Sequence, residues 1–378
     1  MGIRTAAALM AAALVAAGCG GSDSDGAASG GGGQKSGSAA GAKEAAAKVA
    51  DAKKLPKFVA PGDPVDMAST KGKTVWILTS TQAVPFVANI AKGAAEAAQT
   101  AGWSTRTFDG KGNVTEWNRV LSQAVAQKVD GVITVGASPE VMKPAMAKAA
   151  AAKIPVVDAI TADKTAPLVP GTFSHVSISF VDSGRLQADY VVAHAKDGAG
   201  VLVFGDNEFP GEVSRVQGMK EEFGKLCPSC KVTVRDTQVA KIGTELGPLA
   251  QTLLRKDPSI AWVLPTYDAQ GLNILPAIKQ AGLTDKVKVV GADAVPGNLD
   301  SVAKNDVQVA DVGEPAFWSG WAAVDEIARA FTGGQPVDEN IPLRLFDSGN
   351  LGGVDTSDED SLFGGSFRDE YKKLWGLT

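Results

Sequence analysis

The chain has 378 residues and a formal net charge of −5 at pH 7, with 44% hydrophobic and 21% charged residues. This composition is typical of an ordinary folded protein and not of a disordered or fibrous one. Because a phosphate backbone is bound through concentrated positive charge and the sequence has no dense Lys/Arg patch, we expect no nucleic acid partner.

The N-terminus carries an export signal. Arg4 precedes an apolar run over residues 6–17, which is too short to span a bilayer but has the length of a signal-peptide core. The run ends in Val15-Ala-Ala-Gly-Cys19, which resembles the bacterial lipobox, where the cysteine is acylated and becomes the new N-terminus. We therefore expect residues 1–19 to be a lipoprotein signal peptide and Cys19 to carry a lipid. An ordinary signal peptide cleaved nearby is the alternative.

Residues 20–71 predict a flexible tether followed by a short helix. The part from Gly20 to Gly41 is rich in Gly, Ser and Ala and has almost no apolar side chains to bury. Residues 42–54 consist largely of strong helix formers, so we expect a short helix that continues the spacer.

The rest of the chain predicts two α/β lobes. Its roughly 300 residues exceed what one hydrophobic core usually serves, and apolar runs alternate with helix-period segments at the spacing of βα units. The predicted strands are 74–78, 104–108, 131–135, 155–158, 200–204, 231–234, 261–264 and 287–290. The predicted helices cover about 87–98, 117–125, 213–225, 245–254 and 272–282, and one more helix begins at Ser138. Two successive arrays of this kind imply two doubly wound lobes. The remaining strand-like and helical segments at 307–312, 317–331 and 343–346 are interpreted as the chain crossing back between the lobes.

Cys227 and Cys230 form the one CxxC pair of the sequence. In an exported protein they predict a local disulfide. A redox CxxC is the alternative, but such a motif belongs at a helix N-terminus, whereas this pair follows a helix-like run. Zinc would need more ligands than this pair with the scattered His175 and His194. We expect no metal and no cofactor.

In open parallel sheets, ligands bind beyond the carboxyl ends of the strands, so the polar and aromatic residues there are candidates for a binding site. Acids, an arginine and aromatic rings suit a polyhydroxylated solute, because carboxylates accept hydrogen bonds from hydroxyls, guanidinium donates to them, and rings cover the C–H faces. In chain order the candidates are Gln82, Phe86, Asp158, Arg215, Tyr267, Asp268 and Asp293.

A structural role is the alternative for each of these residues. Asp158 and Asp293 stand where aspartates often cap a following helix. Phe86 is also suited to filling the core beside its own helix, and Arg215 to a surface ion pair with a nearby glutamate such as Glu212. A cation near a helix N-terminus opposes the helix dipole, which favours the site role for Arg215.

Over about residues 72–346 the sequence resembles the type I solute-binding proteins of bacterial ABC transporters, in their ribose-binding-like branch. The segments that carry the resemblance are Lys71-Gly-Lys-Thr-Val-Trp76 leading into Pro85-Phe86, Asp109-Gly-Lys-Gly-Asn113, Ile154-Pro-Val-Val-Asp158, Arg215-Val-Gln-Gly218 and Val289-Val-Gly-Ala-Asp293. The resemblance implies two Rossmann-like lobes joined by a three-segment hinge with crossings near Ile178, Gly313 and Leu343. The implied N-terminal lobe is 72–178 plus 314–342, and the implied C-terminal lobe is 179–313 plus 343–378, including a C-terminal tail that docks on a lobe.

The same resemblance marks Phe86, Asp158, Arg215 and Asp293 as the main solute contacts and adds Glu314. The sequence departs from pentose binders in the family at several positions. These departures are Val84 for Asn, Ala159 for the Arg after the Asp, Tyr267 for Asn, Ala292 for an aromatic residue, and Gly313 or Glu314 for Gln.

The resemblance implies an exported, lipid-anchored, monomeric protein on the outer face of the membrane, which binds a small polar solute, expected to be a sugar, and delivers it to an ABC permease. Two alternatives remain, a sensor for a membrane receptor and a binder of another solute such as an amino acid or nucleoside. We do not expect the protein to be an enzyme, because the sequence has no Gly-x-Ser-x-Gly elbow, phosphate loop or metal cluster.

Overall fold

The computed structural model describes residues 37–377 and gives an α/β fold with two separate sheets. Residues 1–36, with the predicted signal peptide, Cys19 and most of the predicted tether, lie outside the described residues. The strands are β1 Thr74–Thr79, β2 Ser104–Asp109, β3 Gly131–Val135, β4 Val156–Ala159, β5 Ser174–Val176, β6 Gly200–Gly205, β7 Lys231–Asp236, β8 Ile260–Pro265, β9 Lys288–Asp293, β10 Gln308–Gly313 and β11 Arg344–Asp347. The helices are α1 Gly37–Ala52, α2 Pro85–Thr100, α3 Val114–Ala126, α4 Lys143–Ala151, α5 Phe180–His194, α6 Pro210–Leu226, α7 Gly247–Lys256, α8 Asp268–Gln280, α9 Pro296–Ala303, α10 Ala316–Thr332, α11 Glu359–Phe363 and α12 Phe367–Leu374.

The two sheets have the strand orders of doubly wound folds. The first sheet has the order β2-β1-β3-β4-β5 and is parallel throughout. The second has the order β11-β10-β9-β8-β6-β7, with β11 antiparallel to β10 and the other pairs parallel. The predicted fold class is therefore confirmed.

The position of each strand in its sheet follows from its composition. Central strands such as β1 and β6 are nearly continuous apolar runs, because helices cover both faces of a parallel sheet. The edge strands β2 and β7 carry many polar side chains, and none of their residues is buried. Edge strands are covered less, so they tolerate these residues.

Short polar side chains fix where several helices begin. The Asn113 side chain accepts a hydrogen bond from the backbone N–H of Thr115 at 2.9 Å and caps α3. Ser138 accepts from Glu140 N at 3.3 Å, as expected for a capping hydroxyl, and starts a 3-10 turn that leads into α4. Ser179 in the same way accepts from Asp182 N at 3.1 Å and starts α5. The sequence analysis did not predict α5, because its inward face carries buried polar residues.

The helix predicted as part of the spacer is packed against the body of the protein. Ala45 and Val49 of α1 are buried in the same apolar cluster as the inward faces of α5 and α6. The Lys53 carbonyl accepts a hydrogen bond from Arg344 Nε at 3.2 Å, which joins the end of α1 to β11. This corrects the expectation of a spacer for residues 42–54, since the small apolar face of α1 suffices to dock it on the second sheet's helices.

The C-terminal tail contacts both halves of the fold. After β11 joins the second sheet, Leu351 and Phe363 pack on the α9 side of that sheet. α12 then lies on α10, where Trp375 Nε1 donates to Asp325 at 2.6 Å. Because α10 packs on α2 beside the first sheet, the end of the tail lies on the first lobe, whereas the implied boundaries place residues 343–378 on the second.

The structure joins Cys227 and Cys230 by a disulfide between α6 and β7, as predicted. Within residues 37–377, no helix is both long enough and apolar enough to cross a bilayer.

Candidate functional site

The carboxyl ends of the two sheets face each other across a small cavity. Its volume is about 50 Å³, which is enough for a few water molecules. The backbone N–H of Gly211 donates to the Thr161 carbonyl at 3.0 Å and joins the two sides beside the cavity. The lining residues are Ser80, Val84, Phe86, Val87, Gly136, Ile160 and Thr161 from the first side, Phe180 from the crossing, and Phe209, Gly211, Glu212, Arg215, Val239, Tyr267 and Asp293 from the second.

Arg215, on the second turn of α6, is the central charged group of the cavity. Its side chain is fully buried, with Nη2 donating to Glu314 Oε1 at 2.8 Å and the guanidinium 4.9 Å from the centre of the Phe180 ring. Nε lies 3.3 Å from Glu212 Oε2. Neither Nε nor Nη1 has a hydrogen-bond partner among the described residues. A buried charged donor without a partner costs more than the 1–3 kcal/mol or so of a neutral one, so Arg215 is suited to bind acceptor atoms of a solute.

Two glutamates flank Arg215. Glu314 follows β10 and also accepts from Ser183 Oγ at 3.1 Å. The second oxygen of Glu314 and Oε2 of Glu212 have no hydrogen-bond partner within the part of the chain that is described. Burial raises the pKa of Glu212 to about 8 despite the neighbouring guanidinium, and it also raises the pKa of Glu314. Both groups are acceptors suited to solute hydroxyl or ammonium hydrogens.

Asp293, at the end of β9, has a strained backbone. Its φ is +115°, outside the region that non-glycine residues favour, which costs on the order of 1–3 kcal/mol. One carboxylate oxygen accepts from the backbone N–H of Asp268 at 3.2 Å, while the side chain lines the cavity. Burial, followed by the charge of Glu314, raises its pKa well above the usual range. Such strain is expected where function fixes the direction of a side chain.

Aromatic rings form much of the remaining wall. Phe86 lies in the first turn of α2, and Phe209 is the residue before α6. The Tyr267 hydroxyl donates to Asp206 Oδ2 at 2.8 Å, so its ring is held against the cavity. Rings in such positions cover the C–H faces of a bound molecule or attract a cation.

This geometry agrees with the comparisons to known proteins. The model of a family described as a periplasmic binding protein domain matches residues 75–335. The chain belongs to this family. The resemblance to the solute-binding proteins of ABC transporters is thus confirmed, and the two-sheet architecture is that of the type I members. The lipid anchor stays a prediction.

Similar relatives include two sugar import proteins. The D-apiose import binding protein of Actinobacillus succinogenes is 26% identical over 72% of this chain and 88% of its own length. The ribose import binding protein of Salmonella typhimurium is 26% identical over 72% of this chain and 89% of its own. A solved ABC transporter solute-binding protein from Bacillus halodurans, with bound myo-inositol, has a TM-score of 0.67 at 19% identity and covers 75% of this chain and 97% of that one.

The structure brings four of the predicted site residues of this periplasmic binding protein to the cavity. These are Phe86, Arg215, Tyr267 and Asp293. Glu314 lines an adjoining cavity of about 40 Å³, which shares Phe86 and Asp293 with the first.

Asp158 lies behind the cavity wall. It is buried, and its carboxylate accepts from Thr134 Oγ1 at 3.1 Å and from the Thr161 hydroxyl. Burial raises its pKa to about 7. Thr161 lines the cavity in its place, so the structure assigns Asp158 to holding Thr161.

Asp268 and Gln82 are also placed away from the cavity. Asp268 accepts from the backbone N–H of Val295 at 2.8 Å and from Gln308 Nε2 at 3.4 Å, so it belongs to a buried network beneath β9 and β10. The side chain of Gln82 is exposed, and its backbone N–H donates to Asp109 at 3.0 Å.

Several lining residues were missed by the sequence analysis, among them Thr161, Phe180 and Phe209. Glu212 was considered only as a surface partner for Arg215, yet both are buried in the cavity wall. One sequence signal could have identified some of these residues, namely a proline at the first helical position, which marks where a helix starts. Val84 and Phe209 each directly precede such a proline, and both line the cavity.

Proposed function

We propose that this protein is the extracytoplasmic solute-binding component of an ABC importer and binds a small polyhydroxylated solute, a sugar or polyol, between its two lobes. The observation that carries the proposal is Arg215, which lines a cavity between the carboxyl ends of the two sheets and has two donors without a partner among residues 37–377. The solute class is supported by the two relatives, which are a D-apiose and a ribose import binding protein.

The proposed mechanism is closure of one lobe on the other. The first lobe comprises 72–178 and 314–342, and the second comprises 179–313 and the chain from 343, with α12 carried on the first. A solute that contacts Phe86 on one side and Arg215 or Asp293 on the other stabilises the closed arrangement, because it binds that arrangement better than the open one. The closed protein then presents a surface made of both lobes to the permease. This role requires binding groups and no catalytic group.

We also propose that Cys19 carries the lipid that anchors the protein to the outer face of the membrane. Support comes from the lipobox-like Val15-Ala-Ala-Gly-Cys19 and the Gly/Ser-rich segment behind it. Replacing Cys19 by Ala is expected to move the protein from the membrane fraction to the culture supernatant or periplasm. Mass spectrometry of the mature N-terminus then checks for the acyl groups, and an unmodified Cys19 in the membrane fraction would contradict the anchor.

A thermal-shift screen of sugars and polyols tests the binding function. A solute at 100 times its dissociation constant stabilises the folded protein by about 2.7 kcal/mol. Arg215→Met is expected to abolish the shift given by the best solute. Arg119→Met, an exposed arginine on α3 that pairs with Glu116, is the matched control and should keep the full shift. A full shift retained by Arg215→Met would remove this residue from the site, and no shift with any sugar or polyol would refute the proposed solute class.

A further inference from the structure

The two adjoining cavities contain more acidic than basic groups. Their charged lining residues are Glu212, Asp293, Glu314, Glu359 and Arg215. Glu359 accepts hydrogen bonds from two backbone N–H groups at the start of α10, at 2.8 and 2.9 Å, so both oxygens of its carboxylate already have a partner. Three acids are therefore left to share one guanidinium.

No second cation compensates these acids. Within residues 37–377, Arg215 is the sole Lys or Arg that forms an ion pair with Glu212 or Glu314, and Asp293 forms none. Burying a carboxylate without a compensating charge is costly. The raised pKa values of Glu212 and Asp293 express that cost, because burial and the neighbouring acids oppose their ionisation. A cation placed among the three acids would remove it.

The other walls of the cavity also suit a cation. Phe86, Phe180, Phe209 and Tyr267 present aromatic rings to it, and ring faces attract positive charge, most strongly when water is excluded. A metal ion is disfavoured, because the described residues include no group of three or more His, Cys, Asp or Glu arranged to hold one.

We propose that the solute is a polyhydroxylated molecule with a protonated amine, of the amino-sugar class. Its hydroxyl oxygens accept from Nε and Nη1 of Arg215, and its ammonium group donates to the free oxygens of Glu212 and Glu314 beside Asp293. The inference rests on the proposed function and narrows its solute class. A free amino acid fits less well, because its carboxylate adds a fourth acid to a site in which three acids already share one guanidinium.

Matched pairs of sugars test the inference. Glucosamine is compared with glucose, and galactosamine with galactose, by thermal shift and isothermal titration calorimetry at pH 6.5, with N-acetylglucosamine as the uncharged amide. We expect the amine of at least one pair to bind at least tenfold tighter than its neutral partner, and the N-acetyl sugar to lose that advantage.

Variants locate the source of the preference. Glu212→Gln and Glu314→Gln should each lower the ratio of amine to neutral-sugar affinity at least threefold. Glu221→Gln, on the exposed side of the same helix α6 as Glu212, should leave it unchanged. Thermal unfolding without solute checks that each variant is folded.

The outcomes separate the inference from the function on which it rests. Neutral sugars that bind as tightly as their amines would overturn the inference and leave the binding function intact. Shifts given by serine or another amino acid alone would overturn both the amino-sugar class and the sugar-binding function. The absence of any shift across all pairs would count against both as well.

Discussion

The attachment of α1 to the second lobe gives the sharpest prediction about stability. Lys48 of α1 extends its ammonium group to Glu222 of α6, with Asp189 of α5 at 3.7 Å and Glu44 of its own helix at 3.3 Å. Asp189 and Glu222 are 1% and 4% exposed, so Lys48 is the positive charge that offsets two buried acids. Replacing Lys48 by Met keeps the apolar stem and removes this charge.

The size of the loss follows from the exposure of the three groups. Removing one partner of a fully buried ion pair costs about 3–5 kcal/mol, whereas surface pairs contribute at most about 1 kcal/mol. Lys48 retains 36% of its side-chain exposure, so solvent screens part of the interaction. We expect Lys48→Met to lower the free energy of unfolding by about 1–3 kcal/mol at pH 8. In a chain of this size, each kcal/mol lost lowers the Tm by roughly 1.5 °C.

The loss should depend on pH in a defined direction. Burial, with the charge of Glu222, raises the pKa of Asp189 to about 7, above its usual value of 3.8. A group whose pKa is higher in the folded state contributes stability at low pH, and that contribution is lost as the pH rises through the folded-state pKa. At pH 5.5 Asp189 is protonated and no longer repels Glu222, so Lys48→Met should cost less there than at pH 8.

Denaturant unfolding at pH 5.5 and pH 8 measures both quantities. Lys43→Met, an exposed position on the same helix, is the control and should change little at either pH. The double variant Lys48→Met/Asp189→Asn should recover most of the loss at pH 8. No loss at either pH would show that α1 is held by its apolar face alone. An equal loss at the two pH values would refute the part assigned to the titration of Asp189.

Three further predictions concern a helix cap, helix packing and the disulfide. Glu359→Ala removes the two bonds that cap α10 and should cost about 1–2 kcal/mol of stability by denaturant unfolding. Gly93→Ala would place a Cβ 2.6 Å from a carbonyl oxygen of α10 and should lower the free energy of unfolding by about 1–3 kcal/mol. Gly224→Ala in α6, where nothing lies within 4 Å of the added Cβ, should raise it by about 0.5–1 kcal/mol. A Gly93→Ala variant that is more stable than Gly224→Ala would contradict the contact between α2 and α10. Replacing Cys227 and Cys230 by Ala should cost about 2 kcal/mol for so short a loop, and a reducing agent should lower the Tm of the parent protein but not of the double variant.

The elements that the sequence predicted well are those in which burial and periodicity agree. β3 was predicted with its observed bounds, and α10 to within a residue at each end, because an apolar run and a wide apolar stripe leave few alternatives. α5 was missed for the opposite reason. Its buried face includes Ser183, Gln187 and Asp189, whose polar contacts are to residues distant in the sequence, such as the Pro265 and Val290 carbonyls that accept from Gln187. No local sequence pattern predicts hydrogen-bond partners that lie so far away along the chain.

The docking of α1 escaped the sequence analysis because it depends on very little apolar surface. Ala45 and Val49 are spaced four residues apart and give a stripe that is too weak to distinguish a docked helix from a solvated spacer. Lys48 forms its ion pairs to α5 and α6 with Asp189 and Glu222, which lie more than 140 positions later in the chain. Both the apolar contact and the charge pairing become visible only when α5 and α6 are placed.

The candidate site shows the same limit at the level of single side chains. Asp158, Asp268 and Asp293 each stand at a strand end or helix start, and the sequence analysis named all three as candidates to bind the solute, with Asp158 and Asp293 as main contacts. The structure separates them through their hydrogen bonds. Asp158 is held by two threonine hydroxyls and Asp268 accepts from Val295 N, while Asp293 faces the cavity on a strained backbone. Because neither of the first two carboxylates lines the cavity, they shape its wall and do not bind the solute, and the excess of acid around Arg215 rests on Glu212, Asp293 and Glu314.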